Sequence, residues 1–334
     1  AKWHHLAKEN GKIKAIVGNF PLEMRVAEKM LKAYRIGTVS VHPYARSRGY
    51  MTVLMQNAIL EARENDGDLM VLSGQRQRYE HFGFTCCGTT LCFEYNQSNK
   101  RHLQESYVED IRLLPLEENT EYTRKCLHIY RKQSISAMRT EERFCEIAES
   151  WGGIPYVILR DGDFFGYCSL VKESGHLNEC YLNDDTKMVS VILKLLEEVE
   201  NTLTVWVAPH RTAAIAAMYL TCEESKIVDS PCFNVLHYPH VIEAFLSLKA
   251  ENEGIVDGEY IIDVQEIGRY EIRVESGKVS VGETEKPFDI SLNHQQMMCH
   301  LFSPMQQYLS LKDRSAVEKS WLPIPLYFPS MDNA

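Results

Sequence analysis

The sequence predicts a chain of the α/β (α+β) class built from several mixed-sheet domains, and three observations predict it. A short strand, a glycine-bearing turn and an amphipathic helix follow one another over residues 36–62. A similar alternation of strands and helices returns over residues 108–249. From Gly254 onward the pattern changes to short strands separated by turn residues, with a helix at 293–302. The 334 residues are enough for two or three domains.

The strongest local pattern runs from Gly37 to Met51 and into the helix that follows. Residues 38–41 alternate with β-branched side chains, and Pro43 ends the strand because proline cannot donate to a ladder. The helix has apolar residues at 51, 54, 55, 58, 59 and 62, the spacing of one buried face. A strand that leads through such a turn into a helix start forms an anion site, because free N–H groups and the helix dipole point at the ligand.

Three residues of this turn suit a diphosphate group. Gly49 allows close approach of the backbone to a ligand. Arg46 and Arg48 add positive charge in the planar form that phosphates favour. A solvated loop is the alternative interpretation of the two arginines. The agreement of strand, proline, glycine and helix favours the anion site.

The pattern Val-x-Val-x-Pro-x-x-Arg-x-x-Gly over residues 39–49 resembles the acetyl-CoA signature of the GNAT N-acetyltransferase superfamily. Met51 stands where that signature has glycine or alanine. A buried strand at 68–73 then leads to Tyr-x-x-Phe-Gly-Phe at residues 79–84, the usual close of the GNAT cofactor site. The Arg-x-x-Gly motif alone is weak, but the two motifs at this distance are specific.

The resemblance implies acetyl-CoA as acyl donor and assigns its contacts. Backbone N–H groups at residues 39–41 would hold the pantetheine arm and polarise the thioester carbonyl. The turn at residues 46–51 would cradle the pyrophosphate. The expected cofactor-binding residues are Val39, Ser40, Val41, Arg46, Ser47, Arg48, Gly49, Tyr50 and Met51.

Tyr79 is the expected general acid. The matching tyrosine has this role in the Eis (enhanced intracellular survival) acetyltransferases, which this chain resembles. Phenols titrate near pH 10, so a tyrosine is protonated at neutral pH and can deliver a proton to the leaving sulfur. A packed aromatic ring is the alternative interpretation, and it is the one expected for Phe82 and Phe84.

The resemblance implies that the general base is the terminal carboxylate, at Ala334 if this is the native end. The tail at residues 321–334 is apolar and proline-rich, which suits a stiff, buried segment. Weaker expectations for the acceptor cleft are Trp3, His4, His5 and Glu23. For the histidines and Glu23, half-exposed or solvated side chains are the alternative.

Hairpin, strand and linker signals predict the remaining elements of the first 101 residues. The Asn10–Gly11 turn joins two strands, as this dipeptide does in hairpins. The other predictions are a second hairpin-like pair at 22–27 and 31–34, a strand at 89–95 that closes the first domain, and a polar linker at 96–101.

The order of elements predicts three domains: a catalytic GNAT domain at 1–100, a second GNAT-like domain at 105–250 and a sterol-carrier-like α+β domain at 251–334. In the second, the turn at 207–214 contains no glycine, so side chains would crowd a phosphate. We expect that domain to be degenerate and without cofactor. The layout resembles the Eis enzymes, which implies a further strand and two helices ahead of residue 1, absent from this sequence.

Composition excludes several classes of function. The net charge of −10 makes nucleic acid a poor partner and favours cationic small molecules such as amines. No apolar run approaches the ~20 residues of a membrane helix. The ten cysteines include no C-x-x-C pair, so we expect no metal site and interpret them as reduced thiols of a cytoplasmic protein.

These observations together predict an N-acetyltransferase that passes the acetyl group of acetyl-CoA directly to a primary amine. An aminoglycoside-like molecule, a polyamine and a protein lysine all remain open as acceptor. The resemblance also implies a homo-oligomer, often a hexamer. The alternative is a non-catalytic protein that binds CoA, or an apolar ligand in its C-terminal domain.

Overall fold

The computed structural model describes residues 2–107, 109–118, 120–228, 231–308 and 313–333. The chain forms two compact units, each built from two separate segments. Residues 1–88 and 229–326 form the first unit, and residues 89–228 and 327–334 form the second. Mixed sheets with helices confirm the predicted α/β (α+β) class. None of the helices in the described chain is long and apolar enough to cross a membrane.

The first hundred residues follow the prediction with two differences. Asn10–Gly11 closes the hairpin of β1 and β2, and the predicted second hairpin is present, because residues 22–27 and 31–34 face each other at the ends of β2 and β3, which turn at Ala27 and Glu28. The first difference is that β3 continues without a break from residues 31–34 into the strand predicted from residue 36. The second is that the predicted linker is wrong, because Asn96 caps a helix there by accepting the N–H of Ser98 at 2.8 Å. The elements are β1 (His4–Glu9), β2 (Lys12–Val26), β3 (Lys29–Val41), α1 (Tyr50–Glu64), β4 (Leu69–Leu72), α2 (Arg76–Tyr79), β5 (Thr85–Cys86), β6 (Thr90–Tyr95) and α3 (Gln97–Leu103).

The middle of the chain has the predicted alternation of strands and helices, together with three strands that were not predicted, β8, β11 and β13. The elements here are β7 (Ile111–Pro115), α4 (Glu121–Arg131), β8 (Ile135–Ala137), α5 (Glu141–Ala148), β9 (Ile154–Arg160), β10 (Asp163–Val171), β11 (His176–Leu182), α6 (Met188–Leu195), β12 (Leu203–Val207), α7 (Thr212–Tyr219), β13 (Glu224–Val228), β14 (Cys232–Val235) and α8 (Tyr238–Glu253).

The last part of the chain has the short strands and the helix predicted after Gly254, and one further short helix. Its elements are β15 (Gly258–Val264), β16 (Gly268–Glu275), β17 (Lys278–Glu283), β18 (Ile290–Leu292), α9 (His294–Phe302) and α10 (Ala316–Trp321). The four strands form a sheet in the order β17-β16-β15-β18, which belongs to the first unit. The predicted domain limits at residues 100, 105 and 250 stay a prediction.

The larger sheet of the first unit runs β1-β2-β3-β4-β14-β5. Helix α1 covers it with the predicted apolar face, in which Leu54, Met55, Ala58 and Ala62 are buried. The strand beside β4 is β14, which comes from far along the chain. The strand predicted at 89–95 to close the first domain does not lie in this sheet: β6 lies in the second unit, between β12 and β13.

The pairing of β5 with β14 sets Cys86 opposite Cys232, and their sulfurs form a disulfide. The prediction that all cysteines are reduced is wrong at this pair. The sequence gives no local sign of this disulfide, because 146 positions separate the two cysteines and only the pairing of β5 with β14 brings them together. The eight other cysteines are free thiols.

The sheet of the second unit runs β13-β6-β12-β11-β10-β9-β7. Strands β11 and β12 are parallel neighbours, and α6 connects them. This repeats the first unit, where α1 connects the parallel neighbours β3 and β4. In each unit the loop between the first of these strands and its helix lies where ligands bind α/β sheets, beyond the carboxyl ends of the strands.

Candidate active site

Strand β3 separates from its parallel neighbour partway along its length. It pairs with β2 almost throughout but with β4 only from Ala33 to Arg35. The register against β2 shifts between Ile16 and Gly18, and Thr38 on β3 has a φ of 49°. This is the geometry of a β-bulge. Beyond Arg35 the β3 edge carries backbone groups outside the β4 ladder, and such an edge can pair with an extended ligand.

The chain then turns sharply before α1. Residues Pro43–Ala45 form a single 3₁₀ turn, with Ala45 buried. Ser47 and Gly49 follow with φ of 62° and 76°. A left-handed backbone costs a residue with a Cβ about 1–2 kcal/mol, so the glycine at position 49 relieves strain at the second of these corners. Left-handed residues next to right-handed ones form concave nests of N–H groups that bind anions.

Helix α1 begins at Tyr50, and its first N–H groups have no hydrogen-bond partner among the described residues. Gly49 is the N-cap and supplies no side-chain acceptor. The first intrahelical bond near this end runs from the N–H of Val53 to the carbonyl of Gly49, at 3.1 Å. The N–H groups of Tyr50, Met51 and Thr52 precede it and remain free for an anion, with the positive end of the helix dipole behind them.

A cleft of about 560 Å³ opens at this point. All nine residues expected to bind the cofactor line it, from Val39 to Val41 and from Arg46 to Met51. Ala45, Thr52 and Arg78 complete the lining. The sequence analysis did not single out these three, although Arg78 lies next to Tyr79 in the second motif.

The cleft is electropositive, because its charged residues are three arginines and none of its lining residues is acidic. Arg48 contacts Glu9 at 3.1 Å, and both side chains are about half exposed. Such a surface pair contributes at most about 1 kcal/mol, so a phosphate can compete for the guanidinium. Arg46 and Arg78 have no ion pair with any other described residue. All three arginines are therefore available to an anionic ligand.

Met51 departs from the small residue of the GNAT signature, and the structure shows how the chain accommodates it. Its side chain is half-buried and packs against the hydrophobic core of the first unit, as does that of Tyr50. Part of the extra volume therefore packs against the protein core, and Met51 also lines the cleft.

Tyr79 ends α2 beside this site without lining the cleft. It is 7% exposed, and its ring meets Phe84 edge to face with centroids 6.5 Å apart. It also lies against Gly74 so closely that a Cβ there would come within 2.5 Å of the ring. The hydroxyl makes no hydrogen bond to another residue in the described part of the chain. Its predicted role as general acid stays a prediction.

The residues expected at the acceptor cleft do not converge on this site. Trp3 is 39% exposed ahead of β1, and Glu23 is exposed on β2. His5 points to α1, where its Nε2 lies 2.8 Å from Glu61 Oε2. His4 is the member of the group that reaches the bulge, with its Nε2 3.5 Å from Thr38 Oγ1.

Ala334 lies outside the described residues, but the tail that leads to it is clamped within the second unit. The buried guanidinium of Arg139 holds Asp332 through two hydrogen bonds of 2.8 Å and Glu179 through two of 2.9 Å. The Tyr130 hydroxyl donates a 2.6 Å bond to Asp332. Burial lowers the pKa of Arg139, but the two carboxylates outweigh it and hold the pKa well above its usual range.

In the second unit, the loop that corresponds to residues 42–49 is not the one predicted. Residues 207–214 follow β12, whereas the loop between β11 and α6 is at 183–187. This loop has no glycine and carries Asp184, which caps its own turn, and Asp185, which pairs with Arg211 at 2.6 Å. Two carboxylates would repel a phosphate. The absence of cofactor in this unit stays a prediction, now with an electrostatic reason.

The gap between the diverging strands β11 and β12 is filled by protein. Tyr327 of the tail lies there with Tyr181, His210 and Arg211, around a void of about 10 Å³. The rings of His210 and Tyr327 meet edge to face at 6.3 Å. Nδ1 of His210 is buried without a hydrogen-bond partner among the described residues.

His210 should make the second unit sensitive to acid. Burial, and secondarily the Arg211 charge, lowers the pKa of His210 to about 3. Unfolded chains bind this proton near pH 6.5, so stability is complete above that pH and falls as the pH drops towards 3, by about 1.4 kcal/mol per unit. Urea unfolding at pH 7 and pH 5 should show a loss of up to about 2 kcal/mol that His210→Gln removes. The exposed His128→Gln is the control, and equal acid sensitivity in both variants would contradict the expectation.

Comparison with known proteins agrees with the site in the first unit. Residues 1–87 match the family model described as an acetyltransferase (GNAT) domain. The expected enzyme class, an acyltransferase, is confirmed for this part of the chain. Acetyltransferases of this type use acetyl-CoA or another acyl-CoA, and their acceptors are small-molecule or protein amines. No curated protein matches the sequence.

Solved structures with a similar fold cover nearly the whole chain. A GCN5-related N-acetyltransferase from Anabaena variabilis superposes with a TM-score of 0.68 at 16% identity, over 98% of this chain and 88% of that one. Eis1 from Mycobacterium abscessus gives 0.64 at 13% identity, over 98% and 89%. A GCN5-related N-acetyltransferase from Kribbella flavida gives 0.62 at 14%, over 88% and 77%. At these identities the likeness concerns the fold.

Proposed function

We propose that the chain is an acetyl-CoA-dependent N-acetyltransferase of the Eis type that acts on a primary amine. The observation that carries the proposal is the convergence of all nine expected cofactor-binding residues on one electropositive cleft at the start of α1. A free strand edge, a glycine corner and an uncapped helix end meet there. The pantetheine arm needs the first of these features and the pyrophosphate needs the other two.

The reaction is a direct transfer. The amine nitrogen attacks the thioester carbonyl carbon, the C–N bond forms, the C–S bond breaks, and CoA leaves as thiol once it has gained a proton. Backbone N–H groups at Val39–Val41 would stabilise the oxyanion, and Arg46, Arg48 and Arg78 would hold the phosphates. Tyr79 would protonate the sulfur. The terminal carboxylate would accept the proton of the amine, a role that rests on resemblance.

The acceptor stays open among aminoglycoside-like molecules, polyamines and protein lysines. The net charge of −10 favours cationic acceptors in general. An Eis-like assignment also includes a sterol-carrier-like C-terminal domain, for which the four-stranded sheet and α9 supply strands and a helix, and a homo-oligomer. A cytoplasmic location is part of the proposal. The Cys86–Cys232 bond weighs against it, because disulfides persist in oxidising compartments.

One observation favours the non-catalytic alternative. Tyr79 and the expected acceptor residues Trp3, His5 and Glu23 do not line the cleft that suits CoA. Release of thiol from acetyl-CoA, measured with a panel of amines, separates the two functions. Steady turnover with any amine supports the transferase. CoA binding without turnover by the full chain would instead support a CoA-binding protein.

Removing an arginine from the cleft should weaken CoA binding. Arg46→Ala and Arg78→Ala should each raise the Kd of CoA by about 10-fold, because each removes a charge-assisted contact to phosphate. Arg78 is the sharper test, since structure rather than motif places it at the cleft. Calorimetric titration with CoA measures the effect, and Arg143→Ala on the exposed face of α5 is the control. A Kd unchanged in both cleft variants would contradict the placement of the phosphates.

A further inference from the structure

A second cluster of functional side chains lies at another edge of the first unit's sheet. Asp68 immediately precedes β4, and His237 lies between β14 and α8. Antiparallel pairing sets Leu69 opposite Val235, so the two ends meet. The N–H groups of Leu236 and His237 both donate to the Asp68 carbonyl, at 2.8 and 3.0 Å. His240 follows in the first turn of α8. The sheet register itself therefore brings these three side chains together.

The donor atoms of the cluster are close enough to share one ion. Nδ1 of His240 lies 2.8 Å from Asp68 Oδ1, and Nδ1 of His237 lies 4.0 Å from the same oxygen. One ligand atom from each of the three residues falls within 4.8 Å of the others. Bonds of about 2.0–2.1 Å in a tetrahedral site place donors roughly 3.4 Å apart. The two distances bracket that separation. His237 Nδ1 accepts the N–H of His240 at 3.3 Å, so a rotation that brings this nitrogen closer to Asp68 would exchange that hydrogen bond for the metal.

Asp68 is held in the manner of a metal ligand. It is 4% exposed, and its Oδ2 accepts the N–H of Lys32 at 2.8 Å, which leaves Oδ1 aimed at the imidazoles. Within the described chain its ion-pair partners are His237 and His240, and no lysine or arginine side chain pairs with it. A buried carboxylate whose ion-pair partners are imidazoles has no permanent positive charge beside it, and a bound cation would supply one. The backbone hydrogen bond to its second oxygen fixes its orientation.

The imidazoles meet the remaining requirements. Neutral imidazole nitrogens are common ligands of transition-metal ions. The two side chains are 47% and 61% exposed, which leaves an approach and an open coordination position. The start of α8 carries about half a positive charge, which opposes a cation. The full charge of Asp68 and the nearby Glu283 offset it.

We propose that Asp68 Oδ1, His237 and His240 form a site for one divalent transition-metal ion of the zinc class, with a water molecule in the open position. Two nitrogen donors and one oxygen donor suit Zn²⁺, Co²⁺ or Ni²⁺ better than Mg²⁺ or Ca²⁺, which prefer oxygen alone. The bound ion would tie the first turn of α8 to the edge of the sheet. The proposal is independent of the acetyltransferase assignment.

Titration of the tag-free, chelator-treated full chain with Zn²⁺ tests the site. We expect binding of one equivalent. His237→Ala and His240→Ala should each weaken it at least as much as loss of a supporting group does in metalloproteins, on the order of 10–100-fold. Both side chains are exposed, so these variants keep the fold, which circular dichroism would verify. His128→Ala removes an exposed histidine of the second unit and should leave the affinity unchanged.

Two further measurements exclude binding at thiols. Among the described residues, Cys222 and Cys299 are the free cysteines that are partly exposed. The visible spectrum of the Co²⁺ complex should lack a thiolate charge-transfer band. Asp68→Asn should weaken Zn²⁺ binding while still accepting the N–H of Lys32. Affinity unchanged in both histidine variants, a thiolate band, or no binding by the full chain would each overturn the proposal.

Discussion

Tyr79→Phe should slow acetyl transfer on the order of 100-fold or more while it changes the Kd of CoA by less than about twofold. The substitution removes only the hydroxyl, which would protonate the departing sulfur, and keeps the ring. The ring's contacts with Phe84 and Gly74 are those of a packed side chain, and the hydroxyl has no protein hydrogen bond in the described chain to lose. A loss of activity would therefore report on chemistry, because neither packing nor a hydrogen bond changes.

The leaving group gives this prediction a sharper form. An acetyl thioester of a more acidic thiol leaves with less need of a proton, so the deficit of Tyr79→Phe should shrink with such a donor. Tyr44→Phe is the matched control, because Tyr44 is 87% exposed in the turn before α1 and does not line the cleft. Equal turnover of Tyr79→Phe and the unchanged chain would remove Tyr79 from the mechanism. A deficit that is the same for both donors would assign it a positioning role.

The cleft was largely predictable because its parts are adjacent in sequence. Strand β3, the corner at Gly49 and the start of α1 lie within a continuous stretch, and each follows from local rules of alternation, backbone conformation and helical periodicity. The sequence did not predict that Arg78 lines the cleft, because its position depends on where α2 packs. The expected acceptor residues lie away from the cleft for a similar reason: residues alternate between the faces of a strand, and His4 rather than His5 points towards the bulge. Their role stays a prediction.

What could not be predicted depends on distant pairing. Strand β14 lies in the sheet that holds the cleft, whereas β6, which comes earlier in the chain, lies in the sheet of the second unit. Strands that are neighbours in a sheet need not be consecutive in the chain. The disulfide and the cluster of Asp68, His237 and His240 both follow from the pairing of β14 with β4 and β5. The sequence did not predict β11, and without this strand the parallel pair that α6 connects could not be identified. The wrong loop was therefore predicted as the counterpart of residues 42–49 in the second unit.

Arg139→Met should destabilise the second unit by about 3–5 kcal/mol, the largest stability effect we expect from one substitution. Its guanidinium is wholly buried between Glu179 and Asp332, whose side chains are 4% and 6% exposed. It also lies 3.8 Å from the centre of the Tyr130 ring. Methionine fills much of the volume but leaves two carboxylates facing each other without a cation. Urea unfolding at neutral pH, followed by tryptophan fluorescence, measures the loss.

Neutralising the carboxylates tells charge from packing. If the cost of Arg139→Met is the unpaired buried charge, then adding Glu179→Gln and Asp332→Asn should recover a large part of it, because a buried ion cluster can often be replaced by neutral groups at little cost. The exposed Arg143→Met serves as the control and should stay within about 0.5 kcal/mol of the unchanged chain. No recovery in the triple variant would mean that shape, rather than charge, holds Asp332 and the tail in place.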